Sequence, residues 1–288
     1  MQQTRPLFRL LPLLLPVSLV FGCGLAITLL QSFGLLMFSY SYDDLFFAYR
    51  ELFADLWFLQ SAAFSLYVAA ASSAMSVIIG IILAYAVWKM PGRYRRFTIV
   101  YKIPLVLPHI AVGFLAVLFL SKTGFLSSIV FQLGLIDSFE GFPDLLYTLS
   151  GLDLISAYVY KETPFVMLMV YAMLVRFDRR QIDTARMLGA GKLRIFYSLI
   201  LPFILPAVNT TFIILFIFTF GGFDLPFVLG DSYPGMVSIR VYEYFFEKDL
   251  VQRPVAMAML SLIFAFSLTF IVLYLRLSAR LARGVRKL

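Results

Sequence analysis

Apolar residues in this chain come in long uninterrupted runs, without the alternation of a half-buried strand or the three-to-four spacing of a surface helix. A helix needs about 20 such residues to cross a bilayer. Runs of that kind lie near Leu11 to Gln31, Ala62 to Val87, Pro104 to Leu120, Leu154 to Val175, Leu199 to Phe220 and Val255 to Leu275. The pattern predicts an all-α membrane protein with six transmembrane helices. Two intervening segments, Phe38 to Ser61 and Ser121 to Asp153, are long enough for short helices of their own, and the first reads as an amphipathic helix at the outer surface. No linker rich in Gly, Ser or Pro and no clear repeat interrupts the chain, so residues 1–288 read as a single domain.

Composition agrees with the runs. The chain is 61% hydrophobic with a mean hydropathy of +0.91 and contains 31 phenylalanines, which is a membrane composition. Its net charge of +8 is distributed in alternating blocks. Arg5 and Arg9 stand at the amino terminus with no acid beside them. The next segment sets Asp43, Asp44, Glu51 and Asp55 against Arg50, and is followed by Lys89, Arg93, Arg95 and Arg96. Lys122 is then outweighed by Asp137, Glu140, Asp144 and Asp153, while Arg176 to Arg194 holds six bases and two acids. Asp224 to Arg253 has five acids and three bases, and the tail carries Arg276, Arg280, Arg283, Arg286 and Lys287. Because lysine and arginine are retained on the cytoplasmic side, both termini and the segment 176–194 are predicted to be cytoplasmic. The positive charge therefore faces anionic lipid and calls for no nucleic acid.

Within 176–194 one motif stands out. Asp183-Thr184-Ala185-Arg186-Met187-Leu188-Gly189 is followed, nine residues later, by Leu199-Ile200-Leu201-Pro202. The spacing predicts a short polar helix from Gln181 to Leu188, with Asp183 near its positive end and Gly189 taking the left-handed conformation that ends a helix. Thr184, Ala185 and Leu188 fall on one face, with Arg179, Arg180, Arg186, Lys192 and Arg194 around them. The plain alternative is an amphipathic helix in the headgroup layer.

This spacing resembles the EAA loop of permease subunits in binding-protein-dependent ABC importers, with Asp183 where that family usually has glutamate and Thr184 where it usually has alanine. Ile103 to His109, Lys161 to Phe165, Gly221 to Gly230 and Arg253 to Ala258 are similar to segments of the subfamily that includes spermidine/putrescine, iron(III), thiamine and phosphonate importers. The resemblance covers about 58–280, with the coupling loop at about 179–202. It implies a type I importer fold in the bacterial inner membrane, a multi-pass permease that forms half of the solute path. It also implies two ATPase subunits using ATP and Mg, a second permease subunit expected to be a different chain, and an extracytoplasmic solute-binding protein. In that frame Asp183, Thr184, Ala185, Arg186, Leu188, Gly189, Leu201 and Pro202 are the coupling residues. The chain itself has no G-x-x-x-x-G-K-[ST], so it is read as non-catalytic with no cofactor of its own.

Ionisable groups at membrane depth are functional candidates. Lys161, Glu162 and Pro164, in Lys161-Glu162-Thr163-Pro164, form a polar break in the fourth run, and Phe223 and Asp224 follow two glycines after the fifth. Together they are candidates for the solute path; the other reading is an interfacial polar pair and a loop cap. His109 is the only histidine, which argues against a metal site and for a helix-start residue. Cys23, the only cysteine, lies in the first run and forms no internal disulfide. An ion-coupled secondary transporter or channel subunit is the alternative function, with Glu162 as its candidate acid.

Overall fold

A segment that leaves water must satisfy its own backbone, and a helix does so without help from elsewhere in the chain. The computed structural model describes residues 5–36, 44–91, 101–230 and 234–285. Asp43, Arg93, Arg95, Arg96, Arg286 and Lys287 of the charge pattern lie outside the described residues. Among the described residues the regular elements are all helical. They are α1 (Arg5–Ser32), α2 (Phe47–Ala54), α3 (Leu56–Lys89), α4 (Ile103–Val106), α5 (His109–Leu120), α6 (Phe125–Gln132) and α7 (Leu152–Val175). The second half adds α8 (Arg180–Met187), α9 (Lys192–Ile195), α10 (Leu201–Phe220), α11 (Asp224–Leu229), α12 (Val237–Tyr242) and α13 (Arg253–Val285).

Five stretches among the described residues are long and apolar enough to cross a membrane: Leu14–Ser32, Leu56–Lys89, His109–Gln132, Lys192–Phe220 and Leu250–Ser278. They correspond to five of the six predicted runs. The third differs most from expectation. The sequence predicts a start at Pro104, but Pro104 lies in the separate short helix α4, Leu107 is extended, and α5 starts only at His109, the stretch continuing into α6. Pro108 explains the break, since a proline disfavours helical geometry in the residue before it and supplies no N–H of its own. The fourth run forms α7, a 24-residue helix whose Asp153, Lys161 and Glu162 set it apart in composition from the five.

The chain divides into two compact units, one of residues 1–61 and 237–273 and the other of residues 62–236 and 274–288. In the first, α1 exposes its apolar side chains, Val20 at 69% and Phe21 at 74%, as a helix immersed in lipid would. The Ser32 and Tyr49 hydroxyls, 2.7 Å apart, join the end of α1 to α2, and Phe33 meets the rings of Phe46 and Tyr49 at 5.5 and 5.4 Å.

The second unit is organised around α3 and α7. Lipid is as apolar as leucine, so membrane helices associate through close packing rather than through escape from water, and small residues permit the closest approach. Ser65, Ala69, Ser72, Ser73, Ser76, Gly80 and Ala84 are all buried along α3 at helical spacing. A Cβ on Gly80 would lie 2.6 Å from Cβ of Val166 on α7, closer than two carbons can sit. One buried cluster then joins Val77, Ala84 and Trp88 to Val166, Val170 and Leu174 of α7 and to Ile200 and Ile204. A second joins Val68 to Val112, Leu154, Tyr158, Leu225 and Leu229.

Candidate functional site

The segment that begins with α8 is built around two buried isoleucines. Ile182 on α8 and Ile195 on α9 are 8% and 5% exposed, and both enter the cluster shared with α3 and α7. Asp178 caps the start of α8, its Oδ1 accepting the Arg180 N–H at 3.0 Å. The helix runs over Arg180–Met187, one residue earlier at each end than the sequence predicts. Gly189 has φ +78°, and two bonds close the turn: its N–H donates to the Arg186 carbonyl, and the Ala190 N–H donates to the Ala185 carbonyl, both at 2.9 Å. That pair is the Schellman arrangement, in which a left-handed residue lets the chain reverse over its last turn.

The face read from the sequence is divided. Ala185 packs inward against the cluster that holds Ile182, whereas Thr184 is exposed and returns its hydroxyl to the Arg180 carbonyl at 3.1 Å. Asp183 and Arg186 are both exposed and pair with each other at 3.4 Å. What the segment presents to its surroundings is apolar: Met187, Leu188 and Leu193 are 88%, 83% and 75% exposed. Leu201 packs against the cluster, and Pro202 stands in the first turn of α10 just after a π-helical turn, Phe196–Ile200. Pro202 has no N–H for the carbonyl four residues back, and the Leu201 N–H reaches past the ordinary spacing to the Phe196 carbonyl, so the helix widens where the proline interrupts it.

Inside the unit, Lys161 and Glu162 go separate ways, as adjacent residues on a helix must. Lys161 is 7% exposed; its Nζ donates to the carbonyls of Pro104 at 2.6 Å, Leu105 at 3.2 Å and Leu107. It therefore satisfies the broken backbone between α4 and α5. Glu162, 4% exposed, accepts from Thr219 Oγ1 on α10 at 2.7 Å and from Ser76 Oγ on α3 at 3.4 Å, tying three helices together. Pro164 is buried within an unbroken α7. Phe223 stacks on Phe227 at 5.1 Å, and Asp224 is exposed in the first turn of α11. These contacts engage Lys161, Glu162 and Phe223 with different neighbours. His109 is the first residue of α5 and lies 4.9 Å from the ring of Phe218. Gly222, beside Phe223, is forced: a Cβ there would collide with the Tyr158 hydroxyl.

A family model described as "Binding-protein-dependent transport system inner membrane component" matches residues 76–287. The chain belongs to this family. The permease is 26% identical over 220 residues to the ferric transport permease FbpB of Actinobacillus pleuropneumoniae, a match that covers 75% of this chain but 31% of FbpB. It is 24% identical to the molybdate/tungstate permease WtpB of Pyrococcus abyssi, covering 69% of this chain and 71% of WtpB. The spermidine/putrescine permease PotB of Escherichia coli is 27% identical over 56% of each chain. Its fold matches a chain of the bacterial alginate ABC transporter solved with an alginate-bound periplasmic protein, at a TM-score of 0.78 and 18% identity over 98% of this chain and 96% of that one. The MetNI methionine ABC transporter in inward-facing form gives a TM-score of 0.52 over 79% of this chain and 95% of that one, at 16% identity. This permease is thus a multi-pass membrane protein of the ABC importer class, helical in its regular elements among the described residues.

Aromatic anchors of the α8 segment were not read from the sequence. Arg179 lays its guanidinium over the Trp88 ring at 4.7 Å and donates from Nη2 to the Trp88 carbonyl at 3.0 Å, near the last turn of α3. Phe177 meets Trp88 at 6.2 Å and Phe203 at 5.1 Å, and Tyr85 meets Phe196 at 5.3 Å. The available signal was a pair of aromatic residues, Tyr85 and Trp88, at one end of an apolar run, facing a second pair around the basic segment.

Proposed function

We propose that this permease forms half of the solute path of an ATP-driven importer and is driven by an ATPase subunit that docks on residues 180–202. The carrying observation is the contrast within that segment. Ile182 and Ile195 are buried while Met187, Leu188 and Leu193, a few residues away, are bare. A rigidly anchored segment with an exposed apolar tip is suited to a groove on another protein, and large exposed apolar groups concentrated in one place mark such contacts.

In this reading α7 is a sixth transmembrane helix. Its three charged side chains are compatible with membrane depth because each is buried with partners inside the chain: Asp153 accepts the Tyr147 N–H at 2.8 Å, and Lys161 and Glu162 are engaged as described. The basic segments face the cytoplasm, where ATP and Mg are used by the ATPase pair. A second permease supplies the other half of the path, and a solute-binding protein delivers from the far side. ATP binding closes the ATPases, the segment 180–202 moves with them, and the Schellman turn at Gly189 keeps α8 at a fixed angle so that the motion reaches α10 through the π-helical turn. The relatives carry names of iron, molybdate/tungstate and polyamine transport, a set that mixes cations with oxyanions.

Gentle extraction of the tagged chain from its native membrane tests this reading. An ATPase subunit and a second permease should co-purify, and Gly189→Val should uncouple or release the ATPase while the chain still inserts. A chain that purifies alone and moves solute without ATP would sink the proposal.

A further inference from the structure

Arg240, on α12, is a buried arginine with only one of its edges engaged. The residue is 6% exposed, its Nη1 donates to Glu243 Oε2 at 3.1 Å, and the Trp57 ring covers its face at 4.5 Å. Its Nε and Nη2 are both buried and have no acceptor among the described residues. These two nitrogens are not a random pair: Nε–H and one Nη2–H point the same way and form the parallel donor edge that matches a carboxylate or tetrahedral oxyanion with two hydrogen bonds. The internal carboxylate, Glu243, takes the remaining nitrogen and leaves that edge free. Arg253, at the start of α13, repeats the theme in the same unit. Its guanidinium lies over the Phe245 ring at 4.9 Å, and its Nε is buried without an acceptor among the described residues.

A buried charged donor without an acceptor is costly, and such groups are ordinarily paired. We propose that the Nε–Nη2 edge of Arg240 receives a carboxylate or oxyanion group of the transported solute. This rests on the importer reading, in which residues 224–253 lie on the extracytoplasmic side of the membrane. The enclosure of the edge fits an anion admitted in one state of the cycle and released in another. Trp57 stacked on the guanidinium serves as an optical reporter, because the chain has two tryptophans and the other, Trp88, is held against Arg179.

The experiment is a titration of tryptophan emission in the purified complex with inorganic phosphate, molybdate and citrate, against chloride at matched ionic strength, both without nucleotide and trapped with ATP. At least one of the three anions should give a saturable change that disappears in Trp57→Phe. Arg240→Lys keeps the charge but not the paired donors and should weaken the apparent affinity by about tenfold or more. An unchanged affinity in Arg240→Lys, or no response to any of the three anions in either state, overturns the proposal. A response that arises only when the solute-binding protein is added assigns the acceptor to a protein carboxylate and also overturns it. The titration needs no turnover, so its failure with an intact ATPase complex sinks the anion site alone. Failure to recruit an ATPase sinks the importer reading instead.

Discussion

Lys161 and Glu162 illustrate how a charged residue can be compatible with a membrane helix when neighbouring helices supply its hydrogen bonds. Each is nearly enclosed, and each is matched by hydrogen bonds from a different set of neighbours. Removing the amino group in Lys161→Met leaves three backbone carbonyls near the Leu107–Pro108 break without their donor. Buried acceptors left unmade cost about 1–3 kcal/mol each, so this variant should melt well below the parent in detergent. Glu162→Ala orphans two hydroxyls at a similar cost, about 2–6 kcal/mol in all, whereas Glu162→Gln retains an acceptor for Thr219 and should lose less. Thermal unfolding of the three variants checks the order. If Gln proved as damaging as Ala, the negative charge rather than the hydrogen bonds would be what the site needs.

At the scale of elements, the contact between α3 and α7 depends on the absence of side chains. Gly80→Val would force Val166 and the α7 backbone away, and overpacking of this kind typically costs about 1–3 kcal/mol. Lower yield and lower melting temperature are expected, with partial recovery in Gly80→Val combined with Val166→Gly, which removes the Cβ that a residue-80 side chain would strike. A double variant no better than the single would place the strain elsewhere. The turn after α8 makes a different demand. Gly189 has open space around it but a φ of +78°, so any side chain is tolerated by volume and penalised by backbone, at about 1–2 kcal/mol for a non-glycine residue. Gly189→Val should therefore leave the long helices assembled while redirecting α8, which limited proteolysis of the 180–202 segment would report.

For the whole molecule, the proposal of a docked ATPase makes Leu188 and Met187 dispensable for the fold. Surface substitutions of this sort stay within about 0.5 kcal/mol, so Leu188→Asp should melt like the parent. Recovery of the ATPase subunit with the tagged chain should nevertheless fall at least severalfold. Equal recovery would show that the exposed tip serves another contact, the headgroup layer being the first to consider.

The sequence by itself determined the class of the protein. Runs of apolar residues can be buried in lipid only as helices, and the spacing from Asp183 to Pro202, with a glycine where a left-handed turn is needed, carried the resemblance that the family comparison bears out. It also located the turn after α8 to within a residue, because helix ends are written in local chemistry. Tertiary structure decided what each polar group touches. The sequence singled out Lys161, Glu162, Pro164, Phe223 and Asp224 as path candidates from their depth, which hydropathy makes legible, but not the neighbours each would touch. Only the packing of α3, α7 and α10 directed Glu162 toward Ser76 and Thr219, and only the break at Pro108 gave Lys161 its carbonyls. Ala185 likewise reads as part of an outward face until Ile182, three residues earlier, is seen to turn that side of α8 into the protein. Arg240 was one base among several in a connecting segment. That two of its nitrogens are buried with no acceptor among the described residues follows from long-range packing, which a local pattern does not encode.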